Sequence, residues 1–409
     1  MHPSELQIKD FTYDLPDDRI ARYPLPRRDA SRLLVSRNGH LTEDTYRNIS
    51  RHIPEGSLLV FNQTRVIHAR LLFQKPTGGR IEVFCLEPGE LYADVQTAMS
   101  RRGEVYWKCL VGGAAKWKEG QVLSLAAADA EGASLQLTAA VAERKEGHFV
   151  LRLQWTAPLT FAEVLHTAGR VPLPPYLERE AEQSDEQRYQ TIFAREEGSV
   201  AAPTAALHFT EQVMEQLEAK GIGTGFVTLH VGAGTFKPVK SQTMQGHDMH
   251  AEWIEVTPEL IATLIRQLKA GQPLVAVGTT SARTLESLYW IGLRLYRGDS
   301  GFLQEIAVPQ WYPYEHAADT EPVTVLEALL RYLEDHRMPR LVSRTQIIIA
   351  PGYTFRLIDA LVTNFHQPQS TLLLLVAALV GPAWRSIYDR ALEQGFRFLS
   401  YGDGCLLWK

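Results

Sequence analysis

Between residues 69 and 155 apolar positions recur in short alternating or β-branched runs, whereas from Phe161 onward helical spacing takes over between buried strands. The runs at 69–73, 80–86, 91–97, 105–111, 122–125, 134–139 and 149–155 read as strands. Gly78-Gly79, Gly103, Gly112-Gly113, Gly120 and Gly132 punctuate them, the signature of a small antiparallel barrel or sandwich. Later strands are expected at 226–231, 274–277 and 346–350, alternating with helices, so this part is α/β. Leu326, Leu329, Leu330 and Leu333 stand at i, i+3, i+4, i+7 and predict an amphipathic helix over 323–335. The apolar stretch 57–61 groups with the later strands. The β module at 69–155 is then an insertion into one discontinuous α/β domain, 1–68 with 156–409.

At 409 residues, with 45% hydrophobic and 22% charged positions, the chain has room for a large core and the composition of a globular protein. Three cysteines, Cys85, Cys109 and Cys405, are too few and too scattered for a disulfide framework or a four-thiolate zinc site. Glu5, Lys9 and Asp10 stand where a signal peptide needs apolar residues, and the longest apolar run, 372–380, is far short of a span. A reduced, cytoplasmic setting without membrane insertion is expected. The net charge is −5, but residues 1–80 hold 13 Lys and Arg against 9 Asp and Glu, a balance of +4 that leaves −9 for the other 329. Such a basic stretch suits an RNA backbone, with Arg27 and Arg28 as its candidate contacts; a merely solvated surface is the alternative.

Three segments set polar groups just beyond apolar strands, where α/β sheets bind ligands. The first is 226–236, with His230 and the glycines Gly232 and Gly234. The second, 275–286, exits a strand through Gly278 into Thr279-Thr280-Ser281 and a helix expected over 281–288; its free amides suit a carboxylate or phosphate, and plain helix capping is the alternative. The third runs from Gly352-Tyr353 to Thr363-Asn364-Phe365-His366, and His366 reads equally as a buried hydrogen-bonded residue. His247 and His250 share a helical face, but Glu252 does not, so no metal site is expected. Gly221, Gly223 and Gly225 precede a strand and do not form a dinucleotide fingerprint.

Taken with Tyr13-Asp14-Leu15-Pro16, Arg32-Leu33-Leu34, Leu59-Val60-Phe61-Asn62, Thr64-Arg65-Val66, Pro172-Leu173-Pro174-Pro175-Tyr176, Val200 to Ala205, Leu207-His208-Phe209, Met249-His250 and Ser400-Tyr401-Gly402-Asp403, these strings resemble the S-adenosylmethionine:tRNA ribosyltransferase-isomerases of queuosine biosynthesis. The resemblance implies a barrel-like α/β main domain with an inserted small antiparallel β-barrel. It also implies transfer of the ribosyl group of S-adenosylmethionine to the 7-aminomethyl-7-deazaguanine wobble base of tRNA, rearrangement to an epoxycyclopentane, and release of adenine and methionine. S-adenosylmethionine is then a substrate, no cofactor or metal is bound, and the partner is a tRNA with a GUN anticodon, acted on by a monomer. On the same ground His208, His230, His250, Glu286, His366 and Asp403 are the candidate proton-transfer residues, with the base left open among them. Arg65, Thr204, Gly232, Gly234, Thr279, Thr280, Ser281, Arg283, Tyr353, Asn364 and Tyr401 are the candidate binding residues. Arg283, oriented by Glu286, would hold an anion with the 279–281 turn, and Tyr353, Phe365 or Tyr401 would stack on a base.

Departures sit at motif edges. His68 replaces the usual Pro, Ala206 a Gly, Gln367 a Leu, and Gly404-Cys405 an Ala-Met; the 287–343 segment is longer than usual. Two other readings follow from these. One is a related transferase acting on a smaller nucleoside, with the long segment as a lid; the other is an RNA-binding paralogue without turnover.

Overall fold

The computed structural model describes residues 2–409 except 76–77, 119, 129–133, 233–240, 300, 302 and 304–305. In chain order the strands are β1 (Arg32–Arg37), β2 (His40–Thr45), β3 (Leu58–Asn62) and β4 (Thr64–Val66). Then come β5 (Arg70–Gln74), β6 (Arg80–Pro88), β7 (Glu104–Gly112), β8 (Leu123–Ala128), β9 (Ser134–Lys145) and β10 (His148–Trp155). Last are β11 (Glu196–Ser199), β12 (Gly223–His230), β13 (Glu252–Val256), β14 (Leu274–Val277), β15 (Leu341–Thr345), β16 (Ala360–Asn364) and β17 (Gly404–Trp408).

Nine strands form one mixed sheet in the order β15-β13-β12-β3-β14-β16-β17-β1-β2, and β5 to β10 close an antiparallel barrel. The fold class is therefore α/β with a small antiparallel barrel; closure belongs to the six strands, and the nine-stranded sheet ends on β2 and β15. At its centre β12, β3, β14 and β16 run parallel. Every residue of β3, β14 and β16 is buried, because both faces are covered. Val60, Ala276 and Leu361 face one core, shared with the helices Pro258–Lys269, Thr279–Tyr296 and Pro322–Asp335. Leu59, Phe61, Val275 and Val277 face the other, with Val213 and Leu217 of the helix Glu211–Ala219.

The helix expected over 323–335 is present as Pro322–Asp335, with Leu326, Leu329 and Leu333 fully buried. It lies so close to the 279–296 helix that a Cβ on Gly292 would stand 2.6 Å from the Val325 carbonyl oxygen. This part of the long segment is thus core.

Inside the barrel, alternate residues such as Leu71, Phe73, Val83, Trp107, Leu137 and Leu151 make a separate core. Its weakest join is β5 to β8, where Gln74 with Ser124 is the single ladder pair among the described residues. Six of the seven expected strands are present. The run 91–97 is instead a turn and the short helix Val95–Met99, because the Asp94 carboxylate accepts from the Thr97 amide at 2.6 Å and caps it. The run 346–350 is buried but carries no ladder. Gln346 donates its amide to Val308 O and Ala350 to the Tyr314 hydroxyl, while the neighbouring β15 takes the sheet position.

The helical stretch Thr371–Glu393, with mean hydropathy 1.5 over its most apolar window, is long and apolar enough to cross a membrane by length and composition; half of that window is buried inside the fold.

Candidate active site at the carboxyl ends of the parallel strands

A cleft opens beyond the carboxyl ends of β12, β14 and β16, walled by Val231, by Gly278, Thr279 and Thr280, and by Thr363 to Gln367. The loop 201–205 and the pair Leu399-Ser400 complete it. Gly278, at φ +92, makes the sharp exit from β14 and is the N-cap of Thr279–Tyr296, with no side chain capping the helix. The expected helix is thus present and longer than 281–288. Its first free amides lie at the cleft wall, the positive end of an 18-residue helix. Thr280 Oγ1 is buried beside them with no partner among the described residues. Ser370, the N-cap of Thr371–Val380, lines the cleft as well, so two helix starts meet there.

His366 lies in the wall with Nε2 2.8 Å from Thr363 Oγ1, and its amide donates to the Tyr388 hydroxyl at 3.0 Å. Nδ1 has no partner among the described residues. Burial holds its pKa down at about 3, so the ring is neutral at physiological pH. Asn364 is fixed from three sides: Oδ1 accepts from the Thr204 hydroxyl at 2.8 Å, and Nδ2 faces His208 Nε2 at 3.3 Å and Asp403 O at 3.4 Å. His208 stands behind the wall, stacked on Tyr46 at 4.3 Å, and burial likewise lowers its pKa to about 3.

Of the candidate residues, Thr204, Thr279, Thr280, Asn364 and His366 share this cleft. Ser281 is buried beneath it, its hydroxyl donating to Val277 O at 2.9 Å. His230 precedes Val231 but turns away, between Thr64 Oγ1 at 3.3 Å and Glu255 Oε1 at 3.5 Å. Gly232 follows it at an open position, and Gly234 lies outside the described residues.

The others are elsewhere. Arg283 faces the buried carboxylate of Glu252 and donates Nε to Ile347 O at 3.2 Å. Glu286 does not orient it: that carboxylate accepts from the Tyr353 hydroxyl and from the amides of Arg356, Leu357 and Ile358 at 2.8–3.1 Å. Burial raises its pKa, and those donors oppose the rise. Tyr353 is thereby committed, also accepting from Trp290 Nε1 at 3.0 Å. Asp403 accepts the amides of Arg32 and Arg397 at 2.9 and 2.8 Å, joining β1 to the 397–403 turn. Tyr401 donates to Asp185 at 2.8 Å, and His250 and Arg65 are exposed at the surface. Arg28, offered as an RNA contact, is a clamp whose guanidinium donates to Gln187 O, Gln190 O and Leu207 O at 2.6–3.3 Å. Among the described residues, nothing from 287–343 lines the cleft.

Sequence reasoning named Thr204 but passed over Ala201, Ala202, Pro203 and Ala205 around it, and Gln367, Ser370 and Ser400, as wall residues. The motif strings around Ala201 and Ser400 were the available signal.

A crevice at the carboxyl edge of parallel strands is where open α/β sheets commonly bind ligands, and an uncapped helix start in its wall has free amides that suit an anionic group. The chain belongs to the queuosine biosynthesis protein family, whose model matches residues 8–407. It is similar to the S-adenosylmethionine:tRNA ribosyltransferase-isomerase of Pelobacter propionicus, with 38% identity over 404 residues, 98% of this chain and 99% of that one. The enzyme of the same name from Magnetococcus marinus is 37% identical over 403 residues, 98% and 94% of the two chains. A solved structure, the S-adenosylmethionine tRNA ribosyltransferase of Thermotoga maritima, is 27% identical and aligns over 97% of this chain and 99% of that one, with a TM-score of 0.45.

Proposed function

We propose that this chain is an S-adenosylmethionine:tRNA ribosyltransferase-isomerase, a transferase of queuosine biosynthesis that moves the donor's ribosyl group onto the 7-aminomethyl-7-deazaguanine base of tRNA and isomerises it to epoxyqueuosine. The observation that carries this reading is similarity along nearly the whole chain to enzymes of that name. The cleft supports it: the uncapped 279–296 helix start offers amides to the methionine carboxylate. The sulfonium acidifies the adjoining ribosyl carbon, so a modest base suffices for the first proton transfer. His366 is the one imidazole lining the cleft among the described residues. We assign it that role in the tautomer whose Nε2–H donates to Thr363 Oγ1, which leaves the Nδ1 lone pair as the proton acceptor. Adenine then departs, the aminomethyl nitrogen attacks and gives up a proton, and cleavage of the ribosyl carbon–sulfur bond releases methionine as the epoxide closes.

The same reading makes 69–155 a domain inserted between 1–68 and 156–409, the tRNA one with a GUN anticodon, the enzyme a monomer, and its compartment the cytoplasm. S-adenosylmethionine enters as donor substrate, with no resident cofactor. The test is incubation with S-adenosylmethionine and tRNA carrying the aminomethyl base. Free adenine and the mass increase of the modified base are expected in equal amounts, and tRNA binding without adenine release would refute the assignment.

A further inference from the structure

Most polar side chains in the cleft wall are already spent on the protein. Thr204 and Asn364 bond each other, Thr363 bonds His366, Ser370 caps its helix, and Tyr176 bonds Ser400 at 2.5 Å. What is left over marks where a ligand is read. Besides the hydroxyls of Thr279 and Thr280 at the helix start and of Tyr189, what is left is Gln367, which lines the cleft and whose side-chain amide makes no hydrogen bond among the described residues. Its backbone is nonetheless held: the Gln367 carbonyl accepts from Ser370 Oγ at 2.7 Å, and the Gln369 amide donates to Phe11 O at 2.8 Å. The backbone thus fixes where the side chain starts, and its amide stays available to a ligand.

We infer that Gln367 is a specificity residue that reads the adenine edge of the donor, an inference that rests on the donor being S-adenosylmethionine. A primary amide sets one donor beside one acceptor in a plane and matches a partner showing the reverse pair. Adenine shows an amino group beside a ring nitrogen, the pairing that glutamine makes with this base elsewhere. The amino-acid end of the donor is charged and is better served by the helix start. Position 367 follows His366 directly, in the wall already assigned to the ribosyl carbon, so the attached base is within the same cleft.

The test compares wild type with Gln367→Leu, using S-adenosylmethionine and its analogue in which oxygen replaces the adenine amino group. Calorimetry gives donor affinity without turnover, and adenine or hypoxanthine release gives kcat and KM. In Gln367→Leu, donor affinity is expected to fall about 10-fold, and preference for the adenine donor to drop by a similar factor. The value of KM for tRNA should stay within about twofold of wild type. Unchanged donor affinity and preference would overturn the inference, as would a change confined to KM for tRNA. A wild-type protein that binds the donor but releases no adenine on tRNA counts against ribosyl transfer, while the affinity comparison still decides the role of Gln367.

Discussion

Replacing Arg283 by Ala separates a structural arginine from a ligand-binding one. The side chains of Arg283 and Glu252 are 8% and 7% exposed, which puts the pair in the buried regime, where breaking it by removing one partner costs up to about 3–5 kcal/mol. Two smaller effects oppose each other. Ile347 O loses its Nε donor, worth about 1 kcal/mol, but Nη2, buried with no partner among the described residues, is removed along with its own desolvation cost of about 1–3 kcal/mol. The net loss is therefore roughly 1–5 kcal/mol, a sizeable share of the roughly 5–15 kcal/mol that stabilises a typical domain. Urea unfolding followed by circular dichroism reads it as a lower midpoint at unchanged slope. Calorimetry on the folded fraction should show wild-type affinity for S-adenosylmethionine. The double variant Arg283→Met, Glu252→Leu should recover most of the loss, because apolar side chains of similar volume replace a buried ion pair at little or no cost. An unshifted midpoint with at least tenfold weaker donor binding would refute this reasoning and return Arg283 to the site.

Acid should destabilise the protein through His208 and His366. Their folded pKa values of about 3 lie below the unfolded value near 6.5, so above pH 6.5 they contribute nothing, and from there down to about pH 3 stability falls as the unfolded chain takes up protons first. At pH 5 the loss is about 2 kcal/mol per ring, and His366→Gln should remove one share in denaturation midpoints taken from pH 8 to 5; an unaltered slope would contradict the burial argument. Asp403→Ala should cost roughly 2–4 kcal/mol by releasing two backbone amides, with adenine release per folded molecule near wild type; selective loss of activity would instead make Asp403 a proton-transfer residue. Gly404→Ala would put a Cβ 2.2 Å from Tyr46 Oη and 2.6 Å from Thr363 O, so both the midpoint and turnover should drop, and a wild-type melt would show that this packing yields.

The sheet and barrel were legible wherever local pattern decides the outcome. Alternation marked six barrel strands, and the leucines at 326, 329 and 333 marked their helix because one face of it meets the core. Residues 91–97 misled because Val95 and Thr97 look like strand residues, whereas one carboxylate, Asp94, starts a helix there. In the site, the 279–281 turn was readable from Gly278 and its hydroxyl neighbours, since a strand, a glycine and a helix start are contiguous. The partners of Arg283, Glu286 and Asp403 were not readable. They come from β13, from amides 70 residues downstream, and from Arg32 at the other end of the chain, and no local spacing encodes those meetings.

The position of β17 sets a timetable for synthesis. The hairpin of β1 and β2 joins the nine-stranded sheet only through β17, so residues 32–45 wait for residues 404–408. At about 5–20 residues per second that is roughly 20–70 s on the ribosome. The barrel, contiguous from 70 to 155, is complete long before then. For most of its synthesis the nascent chain carries one finished barrel and an early hairpin with an unpaired edge, a surface for chaperones to shield until the final strand arrives.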